Sequence, residues 1–328
     1  MLMHAIRLHA FGPAENLRYE QVDDPRPGPG QARIAVAAAG VHLIDTVLRE
    51  GRPMGPLPLP ELPTIPGREV AGVVDALGPG VDERWLGRRV VAHLGPASGG
   101  YAELAVRDAD ALHAVPDGVA DDAAVAMIGT GRTALAVLEV AQLTAADVVL
   151  VTAAAGGLGS LLVQAARNAG ATVVGVAGGP DKVQRVGELG VAVAVDYSAP
   201  GWSDAVREAL DGREVTVALD GVGGALGRGA LELLAVGGRL ILFGFASGAP
   251  TELSAGDLYS RGLTVSAAIG ARIAQRPGGV RDLEERALAA AAEGRLVPLV
   301  QRFPLAQATA AHTAIEARAT VGKTVLVP

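Results

Sequence analysis

The chain has 328 residues, half of them apolar, a net charge of −7 and no cysteine. That length exceeds one ordinary core, so two domains are expected, with apolar material enough to bury both. Without cysteine there are no disulfide staples and no thiolate metal sites, and dispersed charge with no basic, aromatic-studded stripe argues against nucleic acid as the main partner.

Met1 to Arg7 lacks a basic region followed by an apolar run, and nothing approaches about 18 uninterrupted apolar residues, so the expectation is a cytoplasmic chain without a membrane partner. From Met1 to about Pro116 the pattern is short β-branched or alternating runs, such as Ala32 to Ala37, Val70 to Val74 and Arg89 to Ala92. Prolines crowd between Arg52 and Pro66, which forbids helix and central strand and predicts a loop able to rim a pocket. From about Asp147 the rhythm becomes strand, helix, strand. Val148 to Val151, Thr172 to Val176, Val191 to Val195, Val215 to Leu219 and Arg239 to Phe243 read as buried parallel strands. Between them Leu158, Leu161, Leu162, Ala165 and Ala169 share one helical face, as do Trp202, Val206 and Leu210. This alternation predicts a doubly wound α/β fold. A further strand is expected at Leu263 to Ala268, then a helix capped at Asp282 with Glu285 three residues on and ending at Gly294. The tail from Val297 to Pro328 reads as short strands that rejoin the first domain.

The segment from Val148 to Gly159 sets a glycine-rich turn between a buried strand and an amphipathic helix, the context a dinucleotide fingerprint requires. Ala154, Gly156 and Gly159 take its three positions: Ala154 at the tight turn, Gly156 where backbone approaches pyrophosphate, Gly159 where helix and strand pack closely. The helix N-terminus then offers free amides to the phosphates. The second strand ends Ala177-Gly-Gly-Pro-Asp-Lys182, with no carboxylate at its tip to accept ribose hydroxyls. Lys182 is placed to meet a ribose 2′-phosphate, which points to NADP(H); the alternative is a solvated first-turn lysine.

Residues 39–51, 66–72, 99–103, 153–159, 220–223 and 322–328 together resemble the medium-chain dehydrogenase/reductase superfamily, specifically its zinc-free quinone oxidoreductase branch, over essentially the whole chain. The resemblance implies a GroES-like β-rich catalytic domain over 1–120, a doubly wound Rossmann NADP-binding domain over 121–264, and a return to the catalytic domain over 265–328. It implies an active site in the cleft and homodimers joined through the strand near Leu263 to Ala268. It puts Lys182, Tyr197 and Arg318 at the 2′-phosphate, Thr133 near the pyrophosphate and Phe243 near the nicotinamide; Gly157, Leu158, Gly178, Val222 and Gly244 complete the expected cofactor-binding set. The chain departs from the family by having His42 for an asparagine and Val47 for a tyrosine.

Zinc relatives use a cysteine at the position of His42 and a histidine where this chain has Arg68, and a guanidinium at a ligand position repels a divalent ion, so no metal is expected. Without a Lewis acid, conjugated acceptors are the easier substrates, since a quinone or α,β-unsaturated carbonyl delocalises the charge that hydride brings. The expectation is an NADPH-dependent reductase of quinones or enones, with a low-turnover NADPH-binding structural or regulatory protein as the alternative and a zinc alcohol dehydrogenase behind both. Candidate catalytic groups are His42, Asp45 and Tyr101. His42, Asp45 and Arg49 share one helical face, read either as a polar row facing the cleft or as a surface histidine beside an Asp45–Arg49 pair. Tyr101 either lines the cleft or packs with its hydroxyl at the surface.

Overall fold

A computed structural model describes residues 1–53, 58–95 and 98–328, which form two compact units, Met1–Thr130 with Pro298–Pro328 and Gly131–Val297. The first unit begins β1 (Leu2–Leu8), β2 (Leu17–Asp23), β3 (Gln31–Val41), α1 (Leu43–Arg49), β4 (Glu69–Leu77), β5 (Arg89–His93), β6 (Leu104–Asp108), β7 (His113–Ala114) and α2 (Asp121–Ala126). β3 is its spine, antiparallel to both β4 and β6. Two register shifts between β3 and β4, at Arg33/Ile34 and Val36/Ala38, bend the sheet around a core that includes Ile6, Ile34, Val70, Val90 and Leu112.

The second unit runs α3 (Arg132–Ala141), β8 (Val148–Val151), α4 (Gly157–Asn168), β9 (Thr172–Ala177), α5 (Pro180–Glu188), β10 (Val193–Asp196), α6 (Trp202–Leu210), β11 (Val215–Asp220), α7 (Gly224–Glu232), β12 (Leu234–Leu242), α8 (Ala255–Arg261), β13 (Thr264–Ala267), α9 (Ala271–Ala274) and α10 (Gly279–Ala292). Its six strands are all parallel, in the order β10-β9-β8-β11-β12-β13. All four residues of β8 are buried, as continuous apolar strands covered on both faces require. The chain winds outward from β8 to β10 and returns at β11, so the carboxyl ends of β8 and β11 flank the switch point where ligands settle in such sheets.

The chain then re-enters the first unit with β14 (Val300–Pro304), α11 (Ala308–Glu316) and β15 (Lys323–Val327), and β15 pairs antiparallel with β3. Among the described residues one helical stretch, Asp121–Ala141, is long and apolar enough to cross a membrane, and more than half of its apolar window is buried in the protein.

Three expectations are corrected. The unit boundaries fall at 130/131 and 297/298, not at 120 and 264, because α10 packs on α3: Leu283, Ala287 and Leu288 are buried, and Arg276 and Arg286 pair with Glu139 of α3. α10 starts at Gly279, not at Asp282, because Gly278 (φ 84°) takes the left-handed N-cap and the Asp282 carboxylate is engaged by Arg276 at 2.7 Å. The tail is not all strand: α11 lies within it, an alanine-rich helix whose buried positions are Ala308, Ala311 and His312. Of the Pro-rich loop from Arg52 to Pro66, residues 54–57 lie outside the described residues; 58–60, 64 and 66 do line a pocket, as expected of that loop.

At Gly72 of β4 a Cβ would stand 2.0 Å from the carbonyl oxygen of Ala35, beside the second bulge. Gly72→Ala is therefore expected to lower the unfolding free energy by about 1–3 kcal/mol, read as a lower denaturant midpoint at unchanged slope.

Candidate active site and nucleotide cradle

In the first unit the polar side chains converge on Glu69, the first residue of β4, which is wholly buried. Its Oε2 lies 2.7 Å from His42 Nε2 and 3.0 Å from Lys323 Nζ, and those two nitrogens are 2.8 Å apart. Burial alone would raise the Glu69 pKa, but the charges of His42 and Lys323 outweigh it and hold the carboxyl well below its usual range. Lys323, buried on β15, is pushed down by desolvation, with Glu69 pulling the other way. A methyl group at Gly129 would stand 1.5 Å from Glu69 Oε1, so the carboxylate fits only against glycine.

His42 is the N-cap of α1 and half-buried, which places an imidazole at the edge of this buried cluster. Asp45 opens the helix from within: its Oδ2 accepts the His42 amide at 2.8 Å and the Tyr101 hydroxyl at 3.0 Å. Tyr101 is fully buried, and its pKa is raised well above the ordinary value by burial first and by Asp45 next. Behind it, His312 Nε2 lies 3.3 Å from the same hydroxyl.

The structure thus corrects the bland readings of both motifs. Asp45 and Arg49 form no surface pair; both are buried, and Arg49 bonds Glu316 and Glu50 instead. The Tyr101 hydroxyl is not at the surface, and with no exposed atom the residue positions Asp45. Of the three candidate catalytic groups only His42 retains appreciable exposure. The sequence reading passed over His312 and Lys323; the latter stands in the quoted 322–328 motif, but nothing in that motif names its partner 254 residues earlier. Among the described residues no three His, Asp or Glu side chains group as a metal site.

In the second unit the turn after β8 is sharper than the fingerprint alone implies. The left-handed residue is Ala153 (φ 48°), not Ala154, which is buried and donates its amide to Val176. Gly156 is the N-cap of α4 and no side chain caps that helix, so Gly157, Leu158 and Gly159 open it with no side chain in place of an anion. A Cβ on Gly159 would stand 2.3 Å from the Ala153 oxygen, which fixes glycine there for close packing. The cradle's second wall hangs on Asp220, fully buried at the end of β11: it accepts from the Thr152 and Thr251 hydroxyls and from the amides of Val222 and Gly223. Phe243 and Gly244 follow β12, with the Phe243 ring against Gly221, where a Cβ would approach it to 2.3 Å. Thr133 is half-buried in the first turn of α3.

The loop after β9 brings Gly178, Lys182 and Tyr197 into one neighbourhood. Gly178 lies under the Tyr197 ring, Pro180 starts α5 with Lys182 in its first turn, and Asp196 accepts the Gly179 amide at 2.9 Å. Arg318 belongs to the other unit, just past α11, at φ 53°. The cradle fits a dinucleotide phosphate: an uncapped helix start, glycines where a Cβ would collide, and a loop lysine.

A β-rich unit built from both ends of the chain, with a parallel Rossmann unit from its middle, is the architecture of dehydrogenases that divide nucleotide and substrate between two domains. Residues 28–117 match the alcohol dehydrogenase GroES-like domain and residues 157–287 the zinc-binding dehydrogenase domain. A quinone oxidoreductase of Pseudomonas aeruginosa is 33% identical over 98% of this chain and 99% of its own, and a 2-haloacrylate reductase of a Burkholderia species is 34% identical over 100% and 99%. The Escherichia coli quinone oxidoreductase complexed with NADPH superposes with a TM-score of 0.86 at 28% identity, covering 99% of this chain and all of that one. The chain belongs to the medium-chain dehydrogenase/reductase superfamily, in its quinone oxidoreductase branch.

His312 supplies a pH test. Burial lowers its pKa from 6.5 to about 4, with Arg49 acting the same way and Asp45 opposing. The unfolded chain therefore binds a proton that the native state refuses between those values, so stability is full above about pH 6.5 and falls as pH drops toward 4, by about 3 kcal/mol. His312→Gln should flatten that slope in denaturant titrations between pH 4 and 7. Glu69→Gln should cost about 3–5 kcal/mol at neutral pH, because it leaves the Lys323 ammonium buried without its counter-charge; an unchanged midpoint would refute the pairing.

Proposed function

We propose that this protein is an NADPH-dependent reductase that passes hydride to a conjugated carbonyl acceptor, a quinone or an enone, without a metal. The observation that carries the reading is the His42–Glu69–Lys323 cluster. At the two positions where zinc relatives place ligands, His42 Nε2 already faces a carboxylate and an ammonium, and Arg68 is a fixed cation within 4.0 Å of Asp45. This donor set favours charge stabilisation by protein cations over Lewis-acid activation of an alcohol.

In the nucleotide unit the α4 amides from Gly157 onward, with Gly156 as the close-approach glycine, would take the pyrophosphate, and Lys182 and Tyr197 the 2′-phosphate. Thr133, Val222, Phe243 and Gly244 complete the expected contacts. Bound NADPH supplies the hydride; the protein orients the acceptor and stabilises the charge that develops on its oxygen. We assign His42 as the group that hydrogen-bonds that oxygen, its proton backed by Lys323 and Glu69, with Asp45 and Tyr101 fixing the start of α1. A homodimer through β13 is part of the same proposal, supported by its place at the edge of the sheet. The family NADPH complex and the two reductase relatives support the cofactor and the reaction type.

A low-turnover NADPH-binding role is the second reading, favoured by Val47 in place of a tyrosine and by the burial of Asp45 and Tyr101. Fluorescence titration should show tighter binding of NADPH than of NADH, with the preference lost in Lys182→Ala and all binding lost in Gly156→Asp. On the wild type, a panel of quinones and enones should start NADPH oxidation. Binding without oxidation by any acceptor would favour the low-turnover reading, and stoichiometric zinc with chelator-sensitive alcohol oxidation would overturn the metal-free one.

A further inference from the structure

The first unit contains a pocket of about 110 Å³ beside the described cluster, walled by Leu8, Leu48, Leu59 and Pro66. The lining of this largely apolar enclosure also includes Arg68, Arg49 and Asp45. The Arg68 side chain is only 18% exposed, its Nε is buried with no hydrogen-bond partner, and its nearest carboxylate oxygen, on Asp45, is 4.0 Å away. Arg49, with a side chain only 1% exposed, spends Nη2 on Glu316 and Glu50, and among the described residues its Nε and Nη1 have no acceptors.

Buried guanidinium N–H groups without acceptors cost free energy, and a protein keeps them where something else supplies the oxygens. Asp45 does not supply them: its Oδ2 is committed to Tyr101 and to the His42 amide, and its Oδ1 stands 4.0 Å from Arg68 Nε, beyond hydrogen-bond reach. A forked, permanently charged donor in an apolar pocket matches the planar, two-oxygen face of a carboxylate. A neutral quinone or simple enone offers it a carbonyl oxygen but no counter-charge, so among conjugated carbonyl acceptors an unsaturated acid matches it better.

We propose that this pocket holds the carboxylate of the acceptor on Arg68, with the charge of Arg49 behind it, so that the substrate class is a small α,β-unsaturated carboxylic acid. The inference rests on the reductase reading above and narrows its acceptor. In the reaction the acceptor's β-carbon gains a C–H bond from hydride as NADPH is oxidised to NADP⁺. The π pair of the C=C bond moves to the α-carbon and onto the carboxylate, and the α-carbon then takes one proton from solvent by way of His42. An ionised acid resists this addition because it already bears a negative charge, and the second charge that builds up on its oxygens is what two guanidinium groups in a low-dielectric pocket offset. The similarity to a 2-haloacrylate reductase, itself named for an unsaturated acid, is consistent with this class.

The test is binding to the full-length chain loaded with NADP⁺, by isothermal titration with 2-chloropropanoate, which cannot accept hydride, and with its neutral amide as control. The wild type should bind the carboxylate at least tenfold more tightly than the amide. Arg68→Gln should lose about ten- to a hundredfold in carboxylate affinity and leave the amide unchanged, the range expected for a hydrogen bond to a charged group. Arg68→Lys should fall between the two. Because among the described residues the Arg68 side chain has no hydrogen-bonded partner to abandon and only Asp45 at 4.0 Å as an ion-pair partner, Arg68→Gln should unfold at nearly the same temperature; a variant that fails to fold would assign Arg68 a structural role and overturn the proposal. So would wild type that binds neither compound, or equal carboxylate affinity in wild type and Arg68→Gln. NADPH oxidation by quinones or enones without carboxylate binding would sink this inference and leave the reductase reading standing. Carboxylate binding lost in Arg68→Gln but without NADPH oxidation by any acceptor, 2-chloroacrylate included, would overturn the reductase reading and the acceptor class with it, leaving a carboxylate-binding pocket alone.

Discussion

A carboxylate with no route to water must be met by positive charge or by hydrogen-bond donors, or lose its own charge, and Glu69 is met by both His42 and Lys323. Much of the first unit follows from that requirement. Lys323 lies on β15, so its pairing helps bring the C-terminal segment back against β3, while His42 directly follows β3 and caps α1, which anchors the helix that carries Asp45 and Arg49. Gly129 has no side chain because the carboxylate occupies the space one would need. The cost of desolvating an acid is thereby turned into a fixed cationic floor beneath a half-exposed imidazole, in a family whose zinc members put a metal to that use.

The second unit repeats the device with neutral donors. Asp220 is as deeply buried as Glu69, yet among the described residues it has no cationic partner; two threonine hydroxyls and two backbone amides donate to it. The carboxylate ties the ends of β8 and β11 together on either side of the switch point. The glycine turn before α4 can therefore stay bare of side chains without becoming loose. One buried acid fixes the surroundings of the His42 imidazole, and the other fixes the chain beside the bare start of α4.

The arginines around the first-unit pocket belong to a different category. Arg33 with Asp75 and Arg228 with Asp257 are satisfied fork-to-fork pairs whose work is structural. Arg68 and Arg49 carry hydrogen-bonding capacity that the protein leaves unused, which is costly in an apolar surround and is the reason for reading them as recognition groups.

Local patterns in the sequence determined a great deal. Continuous apolar runs fixed the parallel strands, because a strand covered on both faces has no polar positions to alternate, and β8 is the clearest case. The glycine loop between β8 and α4 was legible because phosphate binding requires bare backbone at set spacing, and the family motifs were legible as contiguous strings. What the tertiary structure alone decided lies in contacts across long sequence separations. Glu69 meets Lys323 and Tyr101 meets His312 through the pairing of β15 with β3 and the seating of α11, and no local spacing encodes either. α11 was missed because a run of alanine and threonine carries little period, and the start of α10 was misplaced because an acid three residues before another mimics a cap that Gly278 supplies. The fate of Asp45, Arg49 and Tyr101 could not be read from helical spacing, since spacing reports which residues share a face and burial depends on what the rest of the chain lays over it.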